Sequence, residues 1–119
     1  MSGIRNKLAN MLLTEVEILL KEATNSESWG PSASQLREIN KASYSRENYN
    51  KILPFIVTRV EDKNYYVVNK TLVVIRHLLE GGTPQFSHDF KDYQYIFRGV
   101  LKHSFHDEDG NDRTQVSTL

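Results

Sequence analysis

Residues 64–82, NYYVVNKTLVVIRHLLEGG, carry apolar side chains on more than one side of a helix. Val68, Leu72, Ile75 and Leu79 form one stripe at helical spacing, and Val67, Val74 and Leu78 run beside it. A helix that is apolar over so wide an arc is stable only when neighbours cover it on both flanks. The Val content also suits a strand, but the length of the run and the glycine after Glu80 favour a helix that stops at Gly81. With 119 residues the chain is the size of one domain. A central, doubly covered helix in a chain of that size constrains the remainder to wrap it.

The remainder also reads as helical. Thr14 and Glu17 form a capping-box pair with Leu13 and Ile18 at the staple positions, so a helix is expected to begin at Thr14. Ser32 and Gln35 repeat the pair just after Gly30-Pro31, with Leu36 and Ile39 facing inward. The lone Trp29 falls at the corner between these two helices and is expected to plug the gap between their ends. In SRENYNKILPFIVTRVEDK, the residues Tyr49, Ile52, Leu53, Ile56, Val57 and Val60 make one buried face, and Pro54 is expected to kink that helix without dividing it. Thr83 and Pro84 start a further helix with Phe86, Phe90, Tyr93 and Phe97 inward, and HSFHDEDGNDRTQVSTL reads as a polar turn and frayed end. The expected class is all-α, a stack of short helices turning about one core.

Several kinds of chemistry find no support. The 15 basic and 15 acidic side chains balance, and the pI near 6.9 does not fit a nucleic-acid-binding face. Absence of cysteine rules out disulfides and thiolate metal sites and fits a reducing compartment. No run has the roughly 20 apolar residues of a membrane span, and the N-terminus is too polar for a signal peptide. DEDGND fails as a calcium loop, because with Gly110 as its glycine the first and last ligand positions fall on Phe105 and Val116. His103, His106 and Asp107 are too few for a closed zinc site, and His77 and His88 stand alone. With no catalytic pair and no phosphate-cradling glycine loop, the expectation is a binding module with no enzymatic activity and no cofactor.

The stretch KEATNSESWGPSASQLREI, followed by ASYS, TRV, NKTLVVIRHLLEGG and FHDEDGNDR, resembles the epsin N-terminal homology (ENTH) domain of epsin-like clathrin adaptors over almost the whole chain. The resemblance implies one domain over 1–119, a right-handed superhelical stack of about seven to eight short helices. Residues 14–119 would be its helical core, and the family's final helix, due after Asn111-Asp112-Arg113, would be truncated to TQVSTL. It also implies a phosphoinositide-binding, membrane-recruiting role in endocytosis or vesicle trafficking. Such a domain would be a cytoplasmic monomer, peripheral on plasma, trans-Golgi or endosomal membranes, and linked to clathrin and adaptor machinery through regions outside this chain.

Carried over position by position, the resemblance puts Arg5, Lys7, Lys21, Asn25, Arg59, Lys63 and Lys70 at the headgroup. Val67 occupies the family's histidine position, and the loop after Lys63 is about two residues shorter than the family's. The six basic residues lie within positions 1–79, where 11 Lys/Arg face 8 Asp/Glu, whereas 80–119 has 4 against 7. Within residues 1–13, Ile4, Leu8, Met11 and Leu12 make an apolar stripe beside Arg5 and Lys7, a pattern suited to insertion at a lipid interface. The alternative is a protein-interaction module that grips a SNARE, cargo or adaptor segment. Convergence of the basic side chains favours lipid, and dispersal favours protein.

Overall fold

The computed structural model describes residues 13–102, and among them every regular element is helical. The helices are α1 (Glu15–Ala23), α2 (Ala33–Ala42), α3 (Arg46–Arg59), α4 (Tyr65–Gly81), α5 (Pro84–Phe90), a 3₁₀ turn (Lys91–Tyr93) and α6 (Gln94–Lys102). Helix α1 packs on α2, on α3 and more lightly on α4, while α2 and α3 each pack on α4, and α4 packs on α5. This is the pattern of a helical stack winding about a shared core.

Local chemistry sets the helix starts. The Thr14 backbone N–H and hydroxyl both donate to Glu17 Oε1, at 3.2 and 2.8 Å, and Ser32 and Gln35 exchange reciprocal bonds of 2.9 and 3.1 Å. Glu15 and Glu17 sit in the first turn of α1 and Lys21 in its last, the arrangement the helix dipole favours. Asn64 caps α4 by accepting from the Tyr66 and Val67 amides at 2.8 and 3.1 Å.

Helix α4 is the axis of the core. It buries Val67, Val68, Lys70, Thr71, Leu72, Val74, Ile75 and Leu78, while Leu79 is only half-buried. The buried Thr71 hydroxyl is satisfied by donating to the Val67 carbonyl at 2.6 Å. The helix runs one residue past its expected stop, through Gly81 to a cap at Gly82. Glycine is required at 82 because a Cβ there would lie 2.8 Å from the Leu78 carbonyl oxygen.

α3 is one helix through Pro54, burying Tyr49, Ile52 and Ile56. Pro54 and Asn50 both lie on its exposed side, so the Asn50 carbonyl that loses its partner faces solvent.

Two expectations are corrected. The run after Pro84 is divided by the 3₁₀ turn at Lys91–Tyr93, a change of pitch for which KDY carries no glycine or proline signal. Phe86 is fully buried and Phe90 and Tyr93 pack partly buried on the core, whereas the Phe97 side chain lies outside the described part. The second correction is Trp29, which is 65% exposed and plugs nothing. The α1–α2 corner is closed by polar groups instead. Thr24 is buried, its hydroxyl donates to the Leu20 carbonyl at 2.7 Å, and Arg59 reaches it from α3.

Candidate functional site

The C-terminal end of α1 gathers two of the cations singled out from the sequence. Arg59, in the last turn of α3, donates through Nε to Thr24 Oγ1 at 3.1 Å and through Nη2 to the Thr24 carbonyl at 3.2 Å. Its guanidinium lies over the Phe55 ring, 5.7 Å from its centre and one helical turn back, a cation–π contact. Lys70, on the second turn of α4, donates from Nζ to Asn25 Oδ1 at 2.6 Å, and the Glu27 amide donates to the same oxygen at 3.2 Å. Consecutive residues, Thr24 and Asn25, therefore hold the two cations that α3 and α4 present.

Lys70 is the unusual member. It is 4% exposed, and burial lowers its pKa below the ordinary lysine range, opposed by attraction to Glu27. A buried ammonium facing a neutral amide oxygen keeps most of its desolvation cost uncompensated. An anion arriving at this point would supply the missing counter-charge, and Arg59 carries further N–H donors beyond the two spent on Thr24.

The remaining candidates are placed differently. Lys21 is exposed in the last turn of α1, one turn before Thr24. Asn25 is half-buried and bound to Lys70. Lys63 is exposed and lines a separate groove of about 460 Å³ with Val60, Asp62, Tyr95, Ile96 and Val100. Arg5 and Lys7, the apolar residues Ile4, Leu8, Met11 and Leu12, and His103, His106, Asp107 and Gly110 all lie outside the described residues. Among the described residues no group of acidic and histidine side chains is arranged to hold a metal, and no helix is long and apolar enough to cross a membrane.

Sequence reasoning missed Thr24, Phe55 and Glu27. Phe55 was accessible as the residue four before Arg59 on one helix face. Thr24 and Glu27 act across 35 and 43 positions of chain, where periodicity gives no signal.

The family model for the ENTH domain matches residues 13–118. The chain belongs to the ENTH domain family. Epsin-1 of Homo sapiens is 29% identical over 116 residues, which cover 94% of this chain and 20% of epsin-1, so this ENTH domain spans about a fifth of that relative's length. The crystal structure of the human epsinR ENTH domain superposes with a TM-score of 0.81 at 28% identity, covering 86% of this chain and 77% of that one. The ENTH domain from epsin-2 in complex with phosphatidylinositol 4,5-bisphosphate shares the fold, with a TM-score of 0.80 at 23% identity over 90% of this chain and 79% of that one. The helical class read from the sequence is therefore that of this ENTH domain.

Proposed function

We propose that this ENTH domain is a phosphoinositide-binding module that recruits an epsin-like adaptor to membranes in clathrin-mediated endocytosis or vesicle trafficking, and that it catalyses no reaction. The observation that carries this reading is the buried Lys70 ammonium, bonded to Asn25 next to the Thr24 that holds Arg59, with no carboxylate among the described residues bonded to either cation. The complex of the epsin-2 ENTH domain with phosphatidylinositol 4,5-bisphosphate supplies the ligand class.

In this reading a headgroup phosphate bridges Arg59 and Lys70, Asn25 donates through its amide, and Lys21 adds exposed positive charge. Lys63 contributes long-range attraction from the neighbouring groove. Arg5 and Lys7 close over the headgroup while Ile4, Leu8, Met11 and Leu12 enter the lipid interface, at roughly 1.5–3 kcal/mol per buried side chain before ordering costs. Clathrin and adaptor partners engage parts of the protein outside this domain. The competing SNARE- or cargo-binding reading predicts dispersed cations; Arg59 and Lys70 meet at the consecutive residues Thr24 and Asn25, which favours lipid, while Lys63 lies apart in its own groove.

Cosedimentation with phosphatidylcholine vesicles with and without phosphatidylinositol 4,5-bisphosphate tests the reading. Arg59→Glu should cut phosphoinositide-dependent binding about tenfold or more, since a charged hydrogen-bonding group becomes a repulsive one. Lys63→Glu should cost less, on the order of 1–2 kcal/mol for reversing one exposed charge near an anionic surface. Equal pelleting of the parent and Arg59→Glu would transfer the domain to the protein-interaction reading.

A further inference from the structure

Trp29 is the only tryptophan of the chain and, at 65% exposure, one of the most exposed large apolar side chains among the described residues. It stands in the loop between α1 and α2, four positions after the Asn25 that receives Lys70. Ser26, Glu27, Ser28 and Gly30 around it are also exposed, and a Cβ added at Gly30 would meet nothing within 4 Å. The loop tip therefore stands clear of the helical stack while its base, Thr24 and Asn25, is bonded to Arg59 and Lys70. An indole presented on such a tip leaves most of its apolar face in water.

We propose that Trp29 is an interfacial anchor, seating in the headgroup layer of an anionic membrane when the Arg59–Lys70 site is occupied; the inference rests on the reading of that site as a headgroup site. Indole combines a large apolar face with one N–H donor, the combination that partitions to the boundary between acyl chains and headgroups. Charge selects the lipid surface among possible occupants. Lys21, Arg59 and Lys70 stand at the base of the same loop, and the one acidic side chain in its tip, Glu27, is electrostatically coupled to Lys70. The loop and the site are continuous through residues 24 and 25, so a membrane that presents a headgroup to the site also presents its interface to the tip.

Because the chain has a single tryptophan, emission excited beyond the absorption of its six tyrosines reports on this position alone. On adding phosphatidylcholine–phosphatidylserine vesicles that contain phosphatidylinositol 4,5-bisphosphate, the emission should shift to the blue and be quenched by brominated phosphatidylcholine. Trp29→Ala should bind these vesicles about tenfold more weakly, with an unchanged melting temperature and unchanged affinity for soluble inositol trisphosphate. Vesicle binding with unshifted, unquenched emission would overturn the anchor and leave the headgroup site standing. An emission shift that depends on protein concentration without lipid would assign the tip to a second copy of the chain and overturn it likewise. Failure to bind the vesicles or inositol trisphosphate at all would overturn both the anchor and the reading on which it rests.

Discussion

Lys70→Met should bind phosphoinositide vesicles about tenfold to a hundredfold more weakly than the parent, the loss expected for one hydrogen-bonded charge contact of roughly 1.5–3 kcal/mol. It should at the same time melt at the same temperature or higher. Lys70 is 4% exposed, and its charge faces only the neutral Oδ1 of Asn25 at hydrogen-bond distance. Replacing a buried charge that the Glu27 attraction only partly compensates with an apolar side chain of similar length removes a desolvation cost. The change strands no partner, since Asn25 Oδ1 keeps the Glu27 amide at 3.2 Å. The pH dependence follows from the lowered pKa of Lys70. Between that value and the ordinary lysine value of about 10.4, the unfolded chain binds a proton that the native state has released. The native state thus gains stability as pH rises through this window, while its affinity for an anionic headgroup falls. Lys70→Met should show neither slope. A melting temperature lowered by several degrees with intact vesicle binding would make Lys70 a structural residue.

Phe86→Ala is the substitution expected to damage the fold most, by about 3–5 kcal/mol in chemical denaturation. Phe86 is completely buried, stacks on Phe90 with ring centres 5.8 Å apart, and is the one buried residue of the seven-residue α5. A helix that short has little stability of its own and depends on the side chain that anchors it to α4. Against a typical domain stability of about 5–15 kcal/mol, the loss is a large fraction of the whole. A loss under about 1 kcal/mol would mean that Phe90 and Tyr93 hold α5 in place without it.

What was legible in the sequence was what is local. Thr14 with Glu17 and Ser32 with Gln35 fixed two helix starts through contacts three residues apart, and the two-sided stripe of residues 67–78 identified the central helix. Trp29 misled because large aromatic area favours burial, yet Ser26, Glu27, Ser28 and Gly30 around it are exposed and give the ring no apolar surface to cover. The 3₁₀ turn at Lys91–Tyr93 has ordinary helix-compatible residues, and tertiary contacts rather than propensity decide its pitch. The candidate site was legible as a set of cations. Its organisation was not, because the links from Thr24 to Arg59 and from Asn25 to Lys70 span 35 and 45 positions. That Lys70 is buried was concealed by its charge, although Val67, Thr71 and Val74 share its side of α4 and are buried with it.

The most direct test is a titration of the isotopically labelled domain with soluble inositol trisphosphate, followed through its backbone amides. A headgroup site at the end of α1 requires saturable shifts centred on Thr24, Asn25, Arg59 and Lys70, lost in Lys70→Met while the remainder of the spectrum is preserved. Saturable shifts centred instead on the groove of Ser43, Arg46, Tyr49 and Asp89 at the opposite end of α4, or no shifts at any residue, would contradict it.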